Sequence, residues 1–178
     1  MDRIHVKDKD FKISIPQEKI AEEVDRVARE INEELDGQDP LFISVLNGAF
    51  MFTSDLMKKV TIPCQISFVK LASYEGVAST GEVKEVMGLS EDITGRTIVI
   101  VEDIVDTGLT MQRLLETLGT RNPKKIYIAS LLVKPEKLKV ELDIDFVAFN
   151  IPNDFILGYG LDYDGYARNL PHIYTVVD

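Results

Sequence analysis

The sequence predicts an α/β protein: a mostly parallel central sheet flanked by helices. Three observations predict it. Short β-branched apolar runs recur along the chain, helical periodicity separates them, and polar or glycine-containing clusters follow the runs directly. In such sheets ligands sit beyond the carboxyl ends of the strands, so the residues that follow each run are the place to look for chemistry.

The elements follow in order. In residues 16–37, Ile20, Val24, Val27, Ile31 and Leu35 recur at spacings of four and three, one stripe of an α-helix. Pro16 suits its first turn and Gly37 its C-terminal cap. The acidic and basic residues on its other faces read as a solvated surface. "LFISVL" (41–46) is a strand, followed by Asn47-Gly48 and a helical stretch with Phe50, Leu56 and Met57. "QISFVKLASY" (65–74) is a strand. The polar, aperiodic "EGVASTGEVKE" (75–85) is a mobile loop or long hairpin. "TIVIV" (97–101) is a buried strand that ends at Glu102-Asp103, and 110–119 is a helix with Met111, Leu114, Leu115 and Leu118 on one face. Residues 125–133, 144–151 and 172–177 are further strands.

Bulk properties bound the function. The 178 residues fit one domain, 1–178, with a substantial core. A net charge of −10 argues against nucleic acid or an anionic membrane as partner, since both select for clustered Lys and Arg. The single cysteine, Cys64, allows no internal disulfide and fits a reducing, cytoplasmic setting; it reads as a small core residue rather than a nucleophile. The N-terminus has no apolar leader, and no run reaches transmembrane length.

The stretch "TIVIVEDIVDTGLT" (97–110) carries the most chemistry. Adjacent carboxylates such as Glu102 and Asp103 can accept hydrogen bonds from two vicinal hydroxyls, as on a ribose, or hold magnesium. Asp106, Thr107, Gly108, Leu109 and Thr110 lead into a helix, whose unpaired N–H groups and partial positive charge bind phosphate. Gly108 lets the backbone approach the anion, and the threonines add hydroxyl donors. Ordinary N-capping by Asp106 or Thr107 is the plainer use of the same residues. The spacing is not that of a nucleoside-triphosphate loop and suits one monophosphate. A ribose diol plus a 5′-phosphate accounts for the whole motif. A lone "DTG" also occurs in aspartic proteases, but a strand, an acidic pair and a helix are the wrong context for one.

These residues resemble the signature of the phosphoribosyltransferase family, which binds 5-phosphoribosyl-1-pyrophosphate. "VLNGAF" (45–50), "ASYEGVASTGEVK" (72–84), "ASLLVK" (129–134) and "IPNDFILGYGLDYDGYARNLPHI" (151–173) extend the resemblance, over nearly the whole chain, to its hypoxanthine-guanine branch. The resemblance implies the type I fold with a small hood and a mobile lid, based at Ser73 and Tyr74. It implies that Leu46, Asn47 and Gly48 form a pyrophosphate loop, with a cis peptide at Leu46–Asn47, and that Arg168 contacts pyrophosphate. Glu102 and Asp103 would hold the ribose, residues 106–110 its phosphate, and Asp106 would take the proton from purine N7. Ile104, Lys134, Phe155, Ile156 and Asp162 would form the purine site. Taken alone, Lys134 reads as a surface lysine and Phe155 as a core aromatic; the family match puts the ammonium on the 6-oxo group and the ring on the purine face. Asp162, Glu102 and Asp103 would ligate Mg2+. Two positions depart from the family pattern: Asn47 and Leu109 stand where basic residues are common, which bears on affinity rather than on reaction type.

The implied reaction converts hypoxanthine or guanine to IMP or GMP, with release of pyrophosphate, by a homodimer or homotetramer. A xanthine- or guanine-preferring enzyme, or a regulator built on this fold, are the alternatives.

Overall fold

The computed structural model describes residues 2–73 and 83–177, apart from the side chains of 72, 73 and 83–87. Strands β1 (Arg3–Val6) and β2 (Lys9–Ile15) precede helix α1 (Gln17–Glu34). β3 (Leu41–Leu46), α2 (Phe50–Met57), β4 (Gln65–Ser73) and β5 (Val83–Met87) follow. β6 (Thr97–Val105), α3 (Leu109–Gly119), β7 (Lys125–Val133), β8 (Phe146–Asn150), β9 (Ile156–Leu157) and β10 (Ile173–Val177) complete the order.

The large sheet runs β5-β4-β3-β6-β7-β8. β4, β3, β6, β7 and β8 are mutually parallel, and β5 pairs antiparallel with β4. The central strands are apolar on both faces because helices or loops cover both. On one face α1 buries Ile20, Val24, Val27 and Ile31, with Leu35 at its end, against Phe42, Val99 and Ala129. Arg26 ties this helix to β8: its guanidinium donates to Glu30 Oε1 at 2.8 Å and to the Val147 carbonyl at 2.7 Å. On the other face α3 buries Met111, Leu114 and Leu118 against Ile43, Ile98, Ile100 and Ile128.

A second, antiparallel sheet runs β1-β2-β10-β9 and forms the hood, with Phe11, Leu157 and Tyr174 as its own small core. Ile156, Tyr159, Leu161 and Ile173 join the main core, so the hood is packed onto the large sheet.

Two differences from the sequence reading matter. The strand that begins at Thr97 does not end at Glu102-Asp103 but runs on to Val105, with Glu102 opposite Ser130, Ile104 opposite Leu132 and Val105 opposite Val133. The ladder uses backbone groups and is indifferent to side-chain polarity, so two acidic residues do not stop it. The hairpin β1–β2, absent from the reading, carries an alternating signal (Ile4, Val6; Phe11, Ile13, Ile15) diluted by "KDKD" at its turn. Among the described residues no helix is long and apolar enough to cross a membrane.

Candidate active site

The site lies where β3, β6 and β7 deliver their carboxyl ends beneath the segment that carries β9. On β6, the Asp103 N–H donates to Glu102 Oε1 at 3.1 Å and the Ile104 N–H donates to Asp103 Oδ1 at 2.9 Å. Burial, and then the negative charge of Asp103, push the Glu102 carboxyl well above the usual carboxylate range. Two crowded carboxylates of this kind are relieved by a diol that donates hydrogen bonds or by a cation.

The loop after β3 comes directly against this pair. The Leu46–Asn47 peptide is cis. A Cβ at Gly48 would overlap the Asp103 carboxylate, and a Cβ at Gly160 would overlap the Gly48 carbonyl. The backbone at 48 is thus sandwiched between the acidic pair and the segment after β9, a spacing that only glycines permit. Leu46, Asn47 and Phe50 line a cleft of about 440 Å³ together with residues 165–169. Arg168 is fixed at its edge, donating to the Gly160 carbonyl at 2.8 Å and pairing with Asp162 Oδ1 at 3.2 Å. The second Asp162 oxygen accepts from the Gly165 N–H at 2.8 Å.

Between β6 and α3 the chain turns at Gly108, whose φ of +83° suits glycine. Gly108 itself takes the N-cap position, and among the described residues no side chain caps the helix. A long contact of 3.4 Å from the Leu109 N–H to Thr107 Oγ1 is the nearest approach to one. Beyond that long contact the first-turn N–H groups have no side-chain partner among the described residues, an arrangement suited to an anion. The cradle is backed by apolar side chains: a Cβ at Gly108 would lie 2.8 Å from Leu142 and 2.9 Å from Val140. Asp106 Oδ2 accepts from Lys137 Nζ at 3.0 Å, while Oδ1 is buried with no hydrogen-bond partner among the described residues.

Lys134 leaves β7 beside this turn, its backbone N–H donating to the Val105 carbonyl at 3.0 Å. It is not a surface lysine: only 7% of it is exposed, and Nζ donates to the Asp154 carbonyl at 2.9 Å and to Asn153 Oδ1 at 3.3 Å. Burial holds its pKa below the usual lysine value. Phe155 follows immediately, and 44% of it is exposed, so it is not a core aromatic either. Its ring centroid lies 5.9 Å from that of Phe11 and 5.2 Å, edge-on, from that of Tyr163. Ile156 is buried in the main core and Ile104 packs against it.

A phosphoribosyl transferase domain matches residues 15–164 of the chain. The chain belongs to the phosphoribosyltransferase family. The hypoxanthine phosphoribosyltransferase of Salmonella typhimurium is 38% identical over 168 residues, 93% of this chain and 94% of that one. A crystal structure of a hypoxanthine-guanine phosphoribosyltransferase from Bacillus anthracis superposes with a TM-score of 0.87 at 37% identity, covering 97% of this chain and 98% of that one. The Trypanosoma cruzi hypoxanthine phosphoribosyltransferase, solved in complex with the product IMP, gives a TM-score of 0.87 at 36% identity over 93% of each chain.

The fold of this phosphoribosyltransferase brings the loop at 46–48, the 102–110 segment, Lys134 and the segment 155–168 to one end of the large sheet. Glu102, Asp103 and Asp162 are not gathered into one three-carboxylate cluster among the described residues. Glu102 and Asp103 alone still suit magnesium, which takes one or two carboxylates and completes its shell with water and substrate oxygens. Ser73 ends β4, while Tyr74 and most of the expected lid lie outside the described residues. Four residues escaped the sequence reading: Lys137, the partner of Asp106; Asn153 and Asp154, which hold Lys134; and Gly160. Gly160 lies in the "GYG" run, where paired glycines signal close backbone approach; nothing in "KPEK" marks Lys137.

Proposed function

We propose that this phosphoribosyltransferase is a purine salvage enzyme that converts hypoxanthine, and also guanine, with 5-phosphoribosyl-1-pyrophosphate to IMP or GMP and pyrophosphate. The observation that carries the base assignment is Lys134, a buried ammonium on the same edge as the Glu102–Asp103 pair and the 106–110 turn. Two of its three N–H donors are taken by Asp154 and Asn153, which leaves one for the purine. A donor-only group at that position rewards a 6-oxo substituent and rejects a 6-amino one.

On this reading the ribose hydroxyls donate to Glu102 and Asp103. The 5′-phosphate sits on the N–H groups and hydroxyls of Thr107, Gly108, Leu109 and Thr110. The purine lies between Phe155 and Ile104, with Ile156 behind it and Asp162 at its far edge. N9 attacks C1 of the ribose as the C1–oxygen bond to pyrophosphate breaks, and the N7 proton passes to Asp106 Oδ1, which awaits a donor. Leu46, Asn47 and Arg168 receive the departing pyrophosphate in the cleft that they line, with the Gly48 backbone next in the same loop. Mg2+ held by the Glu102–Asp103 pair, and Mg2+ held separately by Asp162, would supply charge neutralisation to the leaving group. A lid based at Ser73 and Tyr74 would keep water from the activated sugar. We also read the protein as a cytoplasmic homodimer or homotetramer; the exposed Phe50, Ile66 and Phe68 on α2 and β4 support self-association.

Initial rates with hypoxanthine, guanine, xanthine and adenine, each with the sugar pyrophosphate and magnesium, test the reading. Turnover of hypoxanthine and guanine well above xanthine and adenine is expected; a rate with adenine equal to that with hypoxanthine would overturn it.

A further inference from the structure

The carboxylate of Asp106 is divided. Oδ2 accepts from Lys137 Nζ at 3.0 Å, and Oδ1 is buried without a partner among the described residues. A buried carboxylate oxygen left unpaired costs free energy, so the arrangement calls for an explanation. Lys137 is not there by the chance of a flexible surface side chain. It closes a 3₁₀ turn, Pro135–Lys137, and its own N–H donates to the Lys134 carbonyl at 3.1 Å. The backbone on either side of that turn is bonded to the backbone on either side of Asp106. The Lys134 N–H donates to the Val105 carbonyl at 3.0 Å, and the Lys139 N–H donates to the Thr107 carbonyl at 2.9 Å. Residues 134–139 are therefore stitched across 105–107, with Lys137 opposite Asp106. The other nearby ammonium, Lys134, donates instead to Asp154 and Asn153, so it is Lys137 that bonds to the Asp106 carboxylate.

We propose that Lys137 is a positioning residue: it holds Asp106 Oδ2 and so presents Oδ1 to the N–H of the bound purine. The inference rests on the reading of Asp106 as the group that takes the purine proton. A carboxylate with both oxygens free can turn about its terminal bond and offer either one at many angles. One oxygen pinned by a charge-assisted bond leaves a single acceptor with a fixed direction, the kind of orientation from which proton transfer gains rate. The pair is about two-fifths exposed, 39% for the lysine side chain and 38% for the aspartate, so as a stabilising salt bridge it contributes little.

The test is a double-mutant cycle with a rescue: wild type, Lys137→Met, Lys137→Arg, Asp106→Asn and the Lys137→Met/Asp106→Asn double variant. Steady-state kinetics with hypoxanthine and the sugar pyrophosphate, and a melting curve for each, are recorded. Lys137→Met should lower kcat about tenfold or more, with KM for the sugar pyrophosphate within about twofold of wild type. Lys137→Arg should restore most of kcat. In the Asp106→Asn background Lys137→Met should change nothing further, because the two residues act as one unit. A rise in KM for the sugar pyrophosphate at unchanged kcat would instead make Lys137 a phosphate contact and overturn the proposal. So would a full additional loss in the double variant, or no effect of Lys137→Met at all. If Asp106→Asn alone keeps full kcat, it is the reading of Asp106 that fails, a result the cycle separates from failure of the role of Lys137.

Discussion

Replacing Lys134 by glutamine tests how this site recognises a purine. In the folded protein its ammonium already gives two hydrogen bonds, to the Asp154 carbonyl and Asn153 Oδ1, and 7% exposure leaves water little access to the third donor. The free donor facing a 6-oxo group makes a charge-assisted bond worth about 1.5–3 kcal/mol. At about 1.4 kcal/mol per tenfold, that is roughly a 10- to 150-fold contribution to kcat/KM for hypoxanthine. Adenine presents an amino group there, two donors meet, and the third N–H of the ammonium stays without a partner where water has little access. Sites built around one hydrogen bond reject such analogues by about 10⁴-fold, so a wild-type ratio of about 10³ or more is expected. Glutamine is shorter by one atom and uncharged, and its amide can turn either its carbonyl or its NH₂ toward the base. Lys134→Gln should therefore lose the bond to hypoxanthine, leave adenine no worse, and narrow the ratio by about tenfold or more. The assay is kcat/KM for both bases in both proteins, with a melting curve as a check of folding. If the ratio stays where it was, Lys134 does not read the 6-position, and the purine site must be sought elsewhere along the β6–β7 edge.

Other expectations are as direct. Asp106→Asn removes a proton acceptor and should lower kcat by about 10²-fold or more with little change in sugar pyrophosphate affinity; unchanged kcat would remove Asp106 from the chemistry. Chelating magnesium should abolish turnover, and Asp162→Ala should raise the magnesium concentration needed for half-maximal rate; a full rate in chelator refutes both. Gly48→Ala forces a methyl into the Asp103 carboxylate and should destabilise by about 1–3 kcal/mol while raising KM for the sugar pyrophosphate, as denaturant melts and kinetics would record. The stability of Lys134→Met relative to wild type should depend on pH. The folded-state pKa of Lys134 lies below its unfolded value, so the penalty for its charge is complete below the folded pKa and fades as pH rises toward the unfolded one. Melting curves should therefore show wild type gaining on the variant as pH rises into the alkaline range, and a difference independent of pH would assign it to packing and hydrogen bonds instead.

Much of this was legible in the sequence because the signals are local. The stripe of Ile20, Val24, Val27 and Ile31 is written within one helix, and the five parallel strands are written as apolar runs. The 102–110 motif reads as a site because its chemistry is contiguous. What escaped depends on pairings distant in sequence. β6 continues through Glu102 and Asp103 because β7, nearly thirty residues away, supplies its ladder. The hood pairs β2 with β10, from opposite ends of the chain, and neither strand is marked in the sequence as belonging to that sheet rather than the large one. Lys134 reads as a surface lysine until Asn153 and Asp154 fold over it. Lys137 has no local mark because its meaning comes only from two backbone bonds to the residues flanking Asp106.

The segment from Asn153 to Arg168 joins the two halves of the proposed reaction. At one end it holds Lys134 through Asn153 and the Asp154 carbonyl and carries Phe155, the purine side. At the other, Gly160 rests on the Gly48 carbonyl and Arg168 binds the Gly160 carbonyl, the pyrophosphate side. Between them the chain is rigid for identifiable reasons. Ile156, Tyr159 and Leu161 are anchored in the main core, and the Tyr159 and Gly160 N–H groups bond the Leu170 and Arg168 carbonyls at 2.8 and 2.9 Å. A purine that stacks on Phe155 and a leaving group that meets Arg168 therefore act on one stiff strap rather than on two independent loops. A substitution that loosens the middle of the strap, such as Leu161→Ala, should therefore disturb both ends at once. Binding titrations with hypoxanthine and with pyrophosphate should then show both affinities falling together from a residue placed in neither contact, and loss of only one would refute a coupled strap.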